Sequence, residues 1–193
     1  NQANSCEGGT TTGFVATGAT ITASTEQAWQ GSYSLKVVTN NTAAYEGAVH
    51  STIYGVSPST TYTLSLYIRG ASGGETVRIY ESEFTDSGGA VHNGWPSATT
   101  LTTEWVRVSI TVTTQATTRA IRINATTPTR QAATFYVDGL QIEEGSGVTV
   151  WEAPPNIGIS GSSTGSDTND PTWTGTGASF VTDDYIDCGT GIA

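Results

Sequence analysis

Five residues, Tyr67, Arg69, Arg78, Tyr80 and Arg122, sit at alternate positions in three short runs of β-branched and aromatic residues, each opposed to an apolar neighbour. Phenol rings supply flat apolar surface and guanidiniums supply forked donors. Sugar rings need both, because they present C–H faces to aromatic planes and hydroxyls to polar side chains. His50 lies in an earlier run, while Asn93 and Trp95 lie in the loop from 86 to 98 and can border the same surface. If these runs are neighbouring strands, one face of a sheet carries them all. For any single member, an ordinary solvated strand face is the simpler account, with Tyr as a strand former and Arg for solubility. The set is what points to sugar.

Catalytic chemistry finds less support. Glu81, Glu83 and Asp86 lie close together, and glycosidases use paired carboxylates, but no partner motif accompanies them. His50 and His92 lack metal-ligand spacing such as His-x-x-x-His, and no Gly-x-Ser-x-Gly nucleophile turn occurs. Asp167–Asp170 lacks the Gly and the twelfth-position Glu of an EF-hand loop. The expectation is a protein without catalytic activity.

Composition narrows the setting. The 193 residues carry seven Lys plus Arg against seventeen Asp plus Glu, for a net charge of −10. Phosphate binding needs clustered cations, so nucleic acid is not an expected partner. The apolar runs are far shorter than the roughly 20 residues that span a bilayer, so membrane insertion is not expected either. With 12% charged residues, 23 Gly and abundant Thr, the chain is no helical bundle. It contains no Met and opens on no signal peptide, which suggests a processed or excised piece. Cys6 and Cys188 permit one disulfide, within or between chains, that an oxidising extracellular setting would preserve; two unrelated thiols are the alternative.

The elements that must position these residues are strands. Tyr62, Leu64, Leu66 and Ile68 alternate with Thr63, Ser65, Tyr67 and Arg69, and Val77, Ile79 and Glu81 alternate with Arg78, Tyr80 and Ser82. Val106, Val108, Ile110 and Val112 are expected to point inward, as are Ile121 and Ile123. In 134–142, Phe135, Val137 and Leu140 approach a core with an Asp-Gly pair interrupting the run. This is the period of half-buried strands. Further strands are expected near 19–23, 34–39 and 46–53, with turns at 57–59, 70–74 and 86–89. Short antiparallel strands in this number make an all-β antiparallel sandwich, a jelly roll, over residues 1–153. Pro154-Pro155 marks a boundary. A Pro/Gly/Ser/Thr-rich linker is expected over 154–171. An extended, strand-forming tail or fragment of a second β domain is expected over 172–193.

Three stretches resemble one group of proteins. Ser5-Cys6-Glu7-Gly8-Gly9, Ala28-Trp29-Gln30-Gly31-Ser32-Tyr33-Ser34-Leu35-Lys36-Val37 and Phe135-Tyr136-Val137-Asp138-Gly139-Leu140-Gln141-Ile142-Glu143 are similar to carbohydrate-binding module families 4, 9 and 22. These are galactose-binding-like jelly rolls found in secreted glycan hydrolases and in phage tail and surface proteins. The resemblance implies a structural calcium held by the carboxylates of Glu7 and Asp138 with backbone carbonyls of Ser5 and Ser32, the hard oxygen ligands this ion takes. Cys6 stands where the family has Phe. Residues 177–186 more faintly resemble the opening strand of laminin-G or concanavalin-like lectin domains, although Thr182 and Asp183 stand where Gly is usual.

Two functions follow as expectations. One is a non-catalytic, extracellular carbohydrate-binding or adhesion module of a secreted or virion surface protein, with a polysaccharide or surface glycan as partner. The other is a structural subunit of an extracellular filament, sheath or virion, self-associating by strand exchange through the tail. In that case Cys188 can bond Cys6 of the next subunit.

Overall fold

The computed structural model describes residues 2–4, 6–51, 53–151, 158–160 and 177–179, and every regular element among them is a strand. The chain divides into two compact units, Asn1–Trp151 and Glu152–Ala193. In the second, β14 (Gly158–Ser160) and β15 (Gly177–Ser179) pair antiparallel with each other. The rest of the expected linker and tail, including Cys188, lies outside the described residues.

The first unit is an antiparallel sandwich. One sheet runs β11 (Val106–Thr113), β7 (Thr61–Gly70), β13 (Thr134–Glu144), β4 (Ser34–Thr39), β3 (Ala19–Ser24), with β1 (Gln2–Asn4) also on β13. The other runs β10 (Thr99–Thr100), β8 (Thr76–Phe84), β12 (Ala120–Thr126), β5 (Gly47–His50), β2 (Phe14–Thr17). On its margins β6 (Ile53–Tyr54) pairs β12 and β9 (Ala90–Asn93) pairs β8. Leu35, Leu64, Leu66, Ile68, Phe135 and Leu140 of the first sheet meet Val77, Ile79, Ile121 and Ile123 of the second in one buried cluster. Each pleat sends alternate side chains to this core, so the period-two pattern becomes the inner face of a sheet.

Two details change the sequence reading. Val106 is 40% exposed instead of buried, because it begins an edge strand. The Asp138-Gly139 pair that interrupts the run is an irregularity in the β13–β7 ladder, where the register shifts between Asp138 and Gln141. The extra residue moves the inward positions from Phe135 and Val137 to Leu140 and Ile142, all buried. Gly139 has φ +53, and a Cβ there would lie 2.9 Å from Trp29 and 3.1 Å from Tyr67. Only glycine fits this bend.

The connectivity decides where the polar faces go. β7, β8, β11, β12 and β13 fall alternately in the first and second sheets. Of these five, β7, β11 and β13 therefore face solvent on one side of the sandwich and β8 and β12 on the other.

Candidate functional site

That alternation splits the predicted sugar surface. Tyr67 and Arg69, on β7, face outward from the first sheet, whereas Arg78, Tyr80 and Arg122, on β8 and β12, face outward from the second. The single face expected from the sequence does not exist.

The outer side of the first sheet is already covered. Trp29 stacks on Tyr67 at 3.5 Å between centroids and 12° between planes, and Trp151 meets Trp29 edge-on at 5.1 Å. Arg107 lies over the Tyr67 ring, 5.6 Å from its centroid, and donates to Ser65 and Gln141. Arg69 lies over Trp105 at 6.0 Å and donates to Gln27. These aromatics and cations are partnered with one another.

His50 is corrected as well. All four residues of β5 are buried, so burial gives no alternation to read. The ladder settles the matter: His50 pairs Phe14 and shares the inward parity of Ala48, and its ring meets Phe14 edge-on at 5.2 Å. Burial pushes its imidazole down to about 4.

The outer side of the second sheet is different. Tyr80 and Asn124 are ladder partners, flanked by Arg78 and Thr126 on one side and Ser82 and Arg122 on the other. Trp95 folds back from the β9–β10 connection and stacks on Tyr80 at 4.8 Å and 21°. Arg78 lies 5.8 Å from the Trp95 ring, and Arg122 lies 4.8 Å from Phe84. Trp95 remains 54% exposed. On the same strands, Nε of Arg78, Nε of Arg122 and Oδ1 of Asn124 are buried without hydrogen-bond partners. Burial raises the Tyr80 phenol, with the nearby guanidiniums acting against it.

Tyr45, which the sequence did not single out, completes this surface. It is 42% exposed and its ring lies 5.3 Å from that of Trp95. Its φ of +62, with +57 at Asn41, is unusual for residues with a Cβ. Buried Glu46 holds the loop in that form by accepting from the amides of Asn41, Thr42 and Ala43 at 2.7–2.9 Å and from the Thr42 hydroxyl. These bonds keep the Glu46 carboxyl below its ordinary range. Gly18 gives it room, since a Cβ there would lie 2.7 Å from its Cγ.

The predicted metal residues come together in part. Glu7 accepts from the amides of Ser32 and Tyr33 at 2.8 and 3.1 Å. Asp138 accepts from Trp29, Gln30 and Gly139 at 3.0, 3.3 and 2.7 Å. Both carboxylates thus hold loop 29–33, and Ser32 contributes an N–H to Glu7. Burial is the main cause that pushes Asp138 up to about 6, with Glu7 adding like-charge repulsion. Cys6 is buried beside them as a free thiol, pushed up to about 12 by burial and by the two acids. Ser5 lies outside the described residues.

Comparison with known proteins agrees with this architecture. Residues 3–133 match the carbohydrate binding domain family CBM_4_9. The C-terminal family 22 carbohydrate-binding module of Clostridium thermocellum Xyn10B superposes with a TM-score of 0.63 at 22% identity, over 77% of this chain and 95% of that one. The CBM22-1 xylan-binding domain of Paenibacillus barcinonensis Xyn10C gives 0.59 at 21%, over 76% and 95%. Against the tandem CBM22-1–CBM22-2 structure of the same protein the TM-score is 0.61 at 21% identity, over 77% of this chain, which spans 46% of that one. At these identities the structures establish the shared fold. No curated protein sequence matches the chain. The family match covers more than half of the chain and lies within the sandwich described above, so the protein belongs to the CBM_4_9 carbohydrate-binding domain family.

Proposed function

We propose that the chain is a non-catalytic, extracellular module that binds a polysaccharide across the outer side of the β8–β12 sheet. The observation that carries this reading is Trp95, stacked on Tyr80, flanked by Tyr45 and Arg78, and still more than half exposed. An indole in water costs free energy that a sugar's C–H face recovers. Arg78 and Arg122, half-buried on the same face, supply forked donors for sugar hydroxyls beside the ring. A xylan-type chain is the first ligand to try, because a structurally similar module is described as a xylan-binding domain.

A structural calcium at Glu7 and Asp138 belongs to the same proposal. Two mutually repelling acids behind loop 29–33 favour a cation, and Gly31 lets the loop close directly onto the Glu7 carboxylate, which a Cβ would strike at 2.2 Å. Nothing specific favours assembly by strand exchange, since β14 and β15 pair with each other.

Pull-down on a panel of insoluble polysaccharides, xylan included, tests the binding reading. Retention of the wild-type chain on at least one polysaccharide, lost in Trp95→Ala/Tyr80→Ala, supports it. Passage over the whole panel, or equal retention of the double variant, defeats it.

A further inference from the structure

Behind the β8–β9 hairpin lies a second cluster, on the opposite side of β8 from Tyr80. Glu81 and Glu83 share the inward parity of Val77 and Ile79, and each is 1% exposed. His92, on β9, is the ladder partner of Glu83. Its Nδ1 lies 3.2 Å from Oε1 of Glu81 and 3.4 Å from Oε1 of Glu83, and one ligand atom from each of the three residues falls within 4.8 Å of the others. Among the described residues, no Lys or Arg pairs with either carboxylate.

These contacts are not ordinary hydrogen bonds. Oε1 of Glu81 is buried and has no hydrogen-bond partner, although the imidazole is close. A carboxylate oxygen left so is costly, and a second buried carboxylate beside it adds repulsion. A divalent ion between them offsets both negative charges. The two separations from His92 Nδ1 fit an ion between them. Donor atoms about 2.0–2.2 Å from a tetrahedral centre lie about 3.3–3.6 Å from each other, close to the two distances observed.

We infer that Glu81, Glu83 and His92 bind one divalent transition cation of the zinc type, with water completing its coordination. One imidazole nitrogen and two carboxylates are a zinc-type donor set, whereas calcium takes six to eight oxygens. The His92 side chain is 45% exposed, which leaves an entry path and room for the water. Glu83 is held from behind: its other oxygen accepts from the Gln115 amide at 2.8 Å and from the Thr118 hydroxyl. Gly94 passes directly over the cluster, where any Cβ would collide with the Glu81 carboxylate. The ion therefore ties β9 and the segment carrying Trp95 to β8, and the inference stands whether or not Trp95 meets a glycan.

Calorimetric titration of Zn²⁺ into the metal-free full-length chain tests it, with Co²⁺ absorption as a second readout. One equivalent of zinc is expected. Affinity should fall about tenfold or more in His92→Ala and in Glu81→Gln. The Co²⁺ complex should show visible d–d bands without the near-ultraviolet bands of a cobalt–thiolate bond. His92→Ala alters a half-exposed side chain, so it reports even where Glu81→Gln fails to fold. Absence of saturable zinc binding, unchanged affinity in His92→Ala, or thiolate bands would overturn the site and leave His92 as an ion-pair partner of two buried acids.

Discussion

Replacing Trp95 by alanine should weaken glycan binding far more than replacing Tyr67, although both residues are outward-facing aromatics. A tryptophan contributes roughly 150–250 Å² of burial when fully covered. Since Trp95 is 54% exposed, about 100 Å² of it remains open, of which a stacked sugar ring covers about 60 Å² and loses a similar area of its own. At about 25 cal/mol per Å², the roughly 120 Å² removed from water is worth about 3 kcal/mol. The affinity loss is then of the order of a hundredfold. Tyr67 has less surface to offer, because Trp29 lies flat on its ring and the Arg107 guanidinium lies 5.6 Å from its centroid. Tyr67→Ala should leave affinity within about twofold while lowering unfolding free energy by about 2–3 kcal/mol, as for loss of a large packed ring. Affinity electrophoresis in soluble xylan, or in whichever polysaccharide retains the wild type, reads the first effect; urea denaturation reads the second. Retained binding in Trp95→Ala with lost binding in a folded Tyr67→Ala would place the ligand on the first sheet and refute the reasoning.

Three further outcomes are expected. Calcium should raise the thermal midpoint and a chelator should reverse it, with about 2.7 kcal/mol gained at a hundredfold excess over Kd; Glu7→Gln, followed by differential scanning fluorimetry, should abolish the response. The fall of His50 from 6.5 to about 4 on folding means the unfolded chain takes its proton first as pH drops, so this contribution is present above pH 6.5 and lost on acidification, at about 3 kcal/mol in full. Asp138, raised from 3.8 to about 6, acts oppositely, its contribution being present below pH 3.8 and lost as pH rises through 6. Urea midpoints measured in chelator between pH 4 and 6.5 should therefore depend more steeply on pH in Asp138→Asn than in wild type, and a flatter profile would contradict these signs. Gly139→Ala should destabilise the fold measurably by chemical denaturation, because its Cβ would press on both Trp29 and Tyr67 at a positive φ.

The strands were legible because burial imposes a period of two, and most inward residues of β7, β8, β12 and β13 follow it. Even the phase break in β13 left a trace, as Asp138-Gly139 interrupts the alternation at the ladder's register shift. Partner strands were not legible. Tyr67 and Tyr80 have the same local pattern, and only the crossing of successive strands between sheets separates them. Tyr45 escaped notice because its position depends on a loop wrapped around Glu46, and such a loop has no periodicity. The Glu81–Glu83–His92 cluster was hidden for another reason. Sequence spacing detects ligands on one element, whereas His92 reaches the acids across a hairpin ladder. A Glu-x-Glu strand end followed by a Gly-Gly turn and a His was the available signal.

The same acids explain how an irregular surface can be rigid. Only one Lys or Arg pairs with a carboxylate among the described residues, Lys36 with Glu26, so buried acids here cannot rely on those cations. They take backbone amides instead. Asp138 holds the amides of Trp29 and Gln30, and Glu46 holds the loop ending at Tyr45. In each case a carboxylate sits beneath a loop that carries an aromatic ring. Amide donors around an anion fix the backbone of a loop more tightly than its packing does, since each bond is charge-assisted and several share one acceptor. A ring mounted on such a loop loses less freedom when a ligand stacks on it, so less of the contact energy is offset by ordering. On this view, the acidity of the chain is partly the chemistry that holds its aromatic loops in place.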